Sequence, residues 1–314
     1  MTPRISVTPK ISMTLVTFSA DDPGGWAHLT ARVKAADAAG LDRIAVSDHV
    51  AFGERLDAYG DPKAGGTAGG KQPTGPDGHW LEPLTTIAHL TAVTTRLRFT
   101  TNILLAALRR PVVLAKMAST IDVLSGGRLD LGVGVGWQAE EYEAAGLDFA
   151  DRGAQLDHTL EVIQTLWREE RASISSDRLT FDGIHQMPKP VQPGGVPIWV
   201  SGTVNPRSMR RLARFGQGWI PWGPDAADLP TGIEKMRAAV AAEGRDPDDI
   251  EVVANLPIAT DDAGVPDFAG SMAGVGDLAA AGVTDFRAML RLAPDAADAE
   301  ERIAEMVAAF RAAT

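Results

Sequence analysis

The chain contains no cysteine, so disulfides, thiolate metal sites and a cysteine nucleophile are excluded. Cations are also in deficit. Thirty Lys and Arg stand against 41 Asp and Glu, a formal net charge of −11. A surface of that sign repels phosphate backbones and anionic bilayers, so neither nucleic acid nor a membrane is expected as a partner. No apolar run approaches the ~20 residues that a membrane-crossing helix requires. The opening stretch MTPRISVTPKISMTLVTF has no apolar core followed by a small-residue cleavage site, and a cytoplasmic location is expected. Several chemistries lack their motifs as well. There is no GxSxG, no Walker loop and no HExxH, and the six histidines are scattered, so no metal site is expected.

What is present is a repeat. Short apolar runs at 11–17, 43–47, 97–104, 128–134, 197–201, 218–221, 251–257 and 284–290 alternate with longer amphipathic stretches. The runs are apolar on nearly every residue, as parallel strands buried on both faces are. Helices are expected at 26–39, 115–124, 205–215 and 296–313 among others. Pro111 suits a first helical turn, and Ser125-Gly126-Gly127 suits a left-handed C-cap. Eight strands, each followed by a helix, in 314 residues predict an α/β fold, a (β/α)8 TIM barrel forming a single domain over 1–314. An open doubly wound sheet is the other arrangement of such elements. Three segments interrupt the repeat. Residues 53–79, rich in Gly and Pro, follow the second strand and read as a mobile lid over the C-terminal face. Residues 173–193 form an insertion with a short hairpin, and DDAGVP at 261–266 is a polar turn.

Barrel chemistry sits at the C-terminal strand ends, and four such ends carry candidates. Ser47-Asp48-His49 offers a hydrogen-bond acceptor beside a group that moves protons near neutral pH, or else an ordinary polar strand end. Thr101-Asn102-Ile103 puts polar residues at the end of an apolar run. In Gly132-Val133-Gly134-Val135-Gly136-Trp137, alternating glycines allow close approach of a flat ligand or tight packing of the barrel. The GxGxxG spacing of a dinucleotide fold is absent. In Ser201-Gly202-Thr203-Val204-Asn205-Pro206-Arg207, small and hydroxyl residues precede a helix, an arrangement whose backbone N–H groups hold phosphate. Arg207 is placed to face an anion, whereas Arg210, Arg211 and Arg214 read as a solvated helix face.

The stretch LRRPVVLAKMASTIDVLSGGRLDLGVGVGWQAEEYEAAGLDFADRGAQLDHTLEVIQTLW resembles the hallmark segment of luciferase-like, F420-dependent oxidoreductases, and PIWVSGTVNPRSMRRLARFGQGWIPW resembles their second hallmark. The resemblance runs from Ile11 to about Phe310. It implies a barrel binding coenzyme F420, with FMN as the alternative, at the C-terminal face. It implies ring contact by Asp48 and His49, with His49 handling a proton. It implies a cis peptide at Asn102–Ile103 behind the ring, with Thr101, Gly136 and Trp137 nearby, and phosphate and tail contacts from Ser201, Gly202, Thr203 and Asn205. A homodimer is implied too. Trp137 stands where relatives that oxidise sugar phosphates carry a glutamate, which argues against that substrate class. The expected reaction is hydride transfer between F420 and a small organic molecule. An FMN-dependent two-component monooxygenase and a barrel that binds a flavin-like ligand without catalysis are the alternatives.

Overall fold

The computed structural model describes residues 8–262, 264–290, 292 and 296–314. The opening heptapeptide and Ala263 of the 261–266 turn lie outside them. Eight parallel strands close into a barrel in chain order: β1 (Lys10–Leu15), β2 (Arg43–Val46), β3 (Arg98–Thr101), β4 (Leu129–Val133), β5 (Ile198–Gly202), β6 (Gly218–Pro221), β7 (Glu251–Leu256) and β8 (Asp285–Ala288). The open sheet is therefore excluded. Closure pairs the backbone groups that an open sheet would leave free along its two edge strands.

Helices wrap the outside: α1 (Ala27–Ala38), α2 (Pro83–Thr91), α3 (Pro111–Ser125), α4 (Ala139–Ala144), α5 (Arg152–Arg168), α6 (Pro206–Phe215), α7 (Leu229–Ala242), α8 (Val275–Ala281) and α9 (Ala296–Ala313). α3 begins with Pro111 and ends at Gly126, whose φ of 68° supplies the left-handed cap. The sequence-based strand at 97–104 is cut short. The Asn102–Ile103 peptide is cis, so the ladder stops at Thr101 and resumes only as a single bridge between Leu104 and Val133. The insertion is a hairpin, Ala172–Ser175 against Thr180–Ile184. It stands outside the helical layer, with Arg178 paired to Asp151 just before α5 at 2.6 Å.

The barrel interior is layered. Near its N-terminal end, Arg43 lies between the carboxylates of Asp130 (3.0 Å) and Asp285. Burying three charges is tolerable because each is paired and hydrogen-bonded. Above them Trp199, Ile220 and Val253 form a small apolar cluster, and Ile103 packs on it from the mouth. That cluster is the floor on which the site is built.

Candidate active site

Gly132, Gly134 and Gly136 serve the cis segment. A Cβ on Gly132 would sit 2.0 Å from the Thr101 carbonyl oxygen, and one on Gly134 would sit 2.5 Å from the Ile103 side chain. At Gly136, where φ is 69°, a Cβ would meet Leu105 at 2.7 Å. The glycines thus let β3 and β4 press together. Packing accounts for them without a ligand, and Gly136 has the lid's Gly65 against its carbonyl. Thr101 is fully buried and donates to the Gly132 carbonyl oxygen at 2.7 Å. Asn102 and Ile103 are half-buried and form a ledge at the mouth.

His49 stands beside this ledge. Its ring lies against Phe52, Trp80 and Trp137, with centroids at 4.4, 4.9 and 5.8 Å. Nδ1 is 3.3 Å from Oε2 of Glu141, while Oε1 of the same carboxylate accepts the Val50 N–H at 2.5 Å. An ionised carboxylate only accepts hydrogen bonds. Nδ1 therefore carries the hydrogen, and Nε2 has no partner among the described residues. Sequence reasoning missed Glu141. Its only signal was position, since of the adjacent Glu140 and Glu141, one turns outward to Arg55 and the other is buried against the His49 strand end.

Asp48 is placed differently from the expected ring contact. Its side chain has no exposed surface. Arg109 grips both oxygens, at 2.7 and 3.0 Å, and the Leu105 N–H donates at 2.8 Å. Burial pushes the carboxyl above its ordinary range, and the Arg109 charge opposes that shift. Arg109 also bonds Glu82 at 2.9 Å. Asp48 therefore pins the backbone that follows the cis bond, and reaches the mouth only through Arg109 and Leu105.

The loop after β5 is largely self-satisfied. Oδ1 of Asn205 accepts from the N–H groups of Arg207 (3.1 Å) and Ser208 (3.0 Å), and buried Asp225 accepts from Val204 at 2.7 Å. Gly202 accepts from Trp219 Nε1 through its carbonyl, and the Thr203 hydroxyl bonds Asn205. Ser201 is half-buried on the inward side of β5. Two amides of the 201–207 loop, those of Val204 and Arg207, are thus occupied by the protein's own carboxylate and carbonyl oxygens. The cationic character comes from elsewhere. Arg207 lies over Gly153, and Arg152 stacks on Phe149 at 3.7 Å with its Nε buried and unpaired. Neither has a carboxylate partner among the described residues. Burial lowers the Arg152 pKa, and the Arg207 charge adds to the effect. Arg211, expected on a solvated face, is instead buried and paired with Asp157 at 2.6 Å.

The 53–79 segment lies across the mouth. Tyr59 meets Trp137 edge-on at 5.4 Å, Trp222 Nε1 donates to the Gly66 carbonyl oxygen at 3.1 Å, and the segment turns on itself through Thr67 N–H to the Tyr59 carbonyl oxygen. The segment that reads as a mobile lid from its Gly and Pro content rests on two tryptophans. Beneath and around it, the Thr17 and Ser47 hydroxyls, Trp137 Nε1, Gln138 Oε1 and Gln72 Nε2 are buried without hydrogen-bond partners among the described residues. Buried polar atoms are rarely left so, and a concentration of them at one face fits a site shaped for a polar ligand.

A family model described as luciferase-like monooxygenase matches residues 10–264. The chain belongs to this luciferase-like family. An uncharacterized protein of Mycobacterium tuberculosis is 33% identical over 166 residues, 53% of this chain and 58% of the relative. The match thus spans under two thirds of that relative's length. Among solved structures, an F420-dependent secondary alcohol dehydrogenase in complex with an F420-acetone adduct aligns at TM-score 0.74 and 16% identity, covering 97% of this chain and 99% of the other. The FMN-bound oxygenating constituent of 3,6-diketocamphane monooxygenase from Pseudomonas putida aligns at 0.69 and 15%, over 95% and 96%. These two likenesses show the fold. In a (β/α)8 barrel the C-terminal mouth, where His49 lies, is the end at which active sites form.

Proposed function

We propose that this luciferase-like enzyme transfers a hydride between coenzyme F420 and a small organic substrate. The observation that carries the reading is His49, whose Nδ1 is held by buried Glu141 so that Nε2 is free beside the Asn102–Ile103 ledge. The residues present fit a deazaflavin. Ile103 and Asn102 would back the ring, the orphaned Ser47 and Thr17 hydroxyls would meet its polar edge, and Arg152 and Arg207 would face its phosphate and acidic tail. When bound, the deazaflavin supplies a ring carbon that accepts or donates hydride. His49 takes the proton that leaves as hydride departs from an alcohol carbon, and returns it in the reverse direction. Trp137, Trp80 and the lid exclude water from that exchange. Gly136, Ser201, Gly202, Thr203 and Asn205 shape the mouth through packing and capping.

A second reading, an FMN-dependent monooxygenase, draws support from the FMN-bound neighbour. Side-by-side fluorescence titration with F420 and FMN separates the two. Binding of F420 in the micromolar range or tighter, with FMN weaker, is the expected result. Tight FMN binding with no F420 response, or turnover that consumes oxygen, overturns the F420 reading.

A further inference from the structure

Arg287 is a buried cation that the preceding reading does not use. It lies on β8, in register with Ser12 of β1 and Asn255 of β7. Asp285, two residues earlier on the same face, points into the barrel, where it bonds Ser12 and Arg43. Strand alternation therefore puts Arg287 inside the barrel as well, one layer nearer the mouth. The residue is only 4% exposed. Its one hydrogen bond among the described residues is a long one, Nε to Ser12 Oγ at 3.4 Å. No carboxylate pairs with it there, because Asp285 and Asp130 are both engaged by Arg43 and Asp130 also by Arg98. Burial pulls its pKa down to about 10, with Asp285 opposing and Arg43 assisting that shift, so it stays charged at neutral pH.

The interior thus holds Arg43 and Arg287 against Asp130 and Asp285, and because Arg43 bonds both carboxylates, the guanidinium left without a direct carboxylate contact among the described residues is the one nearer the mouth. A buried charge without a partner is costly, and it is tolerated where an incoming group completes it. The surroundings describe that group. Asn255, level with Arg287, is exposed at the wall of a cavity of 330 Å³ that Ile220, Val253, Leu229 and Leu278 also line, with Asp228 as the one carboxylate at its edge. Val16, Val50 and Met289, just past β1, β2 and β8, are exposed apolar residues around the same opening.

We infer that Arg287 and Asn255 form an anion subsite on the floor of the mouth, which selects substrates having an apolar body and one carboxylate or similar monoanionic group. The inference rests on the proposed oxidoreductase site for its setting, but its test needs no turnover. Benzoate and its neutral isostere benzamide are the probes, titrated by tryptophan fluorescence at fixed ionic strength, with and without F420. Wild-type protein should bind benzoate at least tenfold more tightly than benzamide. Arg287→Met should lose that preference, and Arg287→Lys should keep most of it. Equal binding of the two probes by wild type, or a preference within twofold of wild type in Arg287→Met, overturns the inference. It is also overturned if Arg287→Met weakens F420 tenfold while benzoate binding is unchanged, since the cation then serves the cofactor. Should Arg287→Met fail to fold, the wild-type preference and Arg287→Lys decide. Failure of F420 to bind anywhere in the series counts against the F420 reading alone.

Discussion

His49 and Asp48 are neighbours in the chain with opposite surroundings. Asp48 is sealed by Arg109 and the Leu105 N–H, whereas His49 keeps a free nitrogen at the edge of the mouth. The two have separable tasks on this account, one holding the cis segment in place and the other moving a proton. His49→Ala should lower kcat by ~10²–10⁴, the usual worth of a positioned acid or base. F420 affinity should change little, because Arg152 and Arg207 lie apart from it. Steady-state kinetics with a carboxylated alcohol, paired with F420 titration, reads both quantities. A loss confined to cofactor affinity would make His49 a ring contact only.

At the scale of elements, the closest fit is between β3 and β4, where glycines admit the cis segment. A less visible joint ties α1 to the start of β3. Asp37, in the last turn of α1, accepts the N–H groups of Thr95, Arg96 and Leu97 at 2.8, 3.1 and 2.7 Å. Burial works against ionisation there, but the three backbone donors outweigh it and hold the carboxyl below its ordinary 3.8. A folded value below the unfolded one means the joint contributes fully above pH ~3.8 and is lost as pH falls through the folded value. Asp37→Asn should therefore melt below wild type at pH 6, and the gap should narrow as melting curves are taken toward pH 2. A gap independent of pH would mean that the charge is irrelevant to the joint.

For the whole molecule, the lid is the part whose state bears most on access. Its contacts with Trp137 and Trp222 bridge the β2, β4 and β6 ends, so it closes one side of the mouth. Exposed Arg55, Lys63 and Lys71 offer trypsin three sites within it. Wild-type protein should be nicked there slowly, and Trp222→Ala markedly faster, because removing the indole frees the Gly66 strap while leaving the barrel intact. Equal and rapid nicking of both proteins would show that the docked lid carries no weight. Among the described residues no helix is long and apolar enough to cross a membrane.

The order of eight apolar runs and amphipathic stretches narrowed the fold to a parallel α/β sheet, because strands apolar on both faces must be covered on both, and closure into a barrel was decided by the tertiary structure. The cis bond at Asn102–Ile103 was likewise legible, though through family resemblance rather than local propensity. Composition also limited the chemistry: without cysteine and without clustered histidine, redox work falls to a bound organic cofactor or to none. Tertiary structure alone decided which polar residues face the mouth. Asp48 and His49 are adjacent in the chain, yet their fates depend on Arg109 and Glu141, some 60 and 90 positions away. The Val204 and Arg207 amides of the β5 loop looked free until Asp225 and Asn205 folded onto them. Arg287 was left without a direct carboxylate contact among the described residues only because Arg43 bonds both interior aspartates. Pattern determines which residues are buried, but pairing between distant side chains determines which charges are spent and which remain for a ligand.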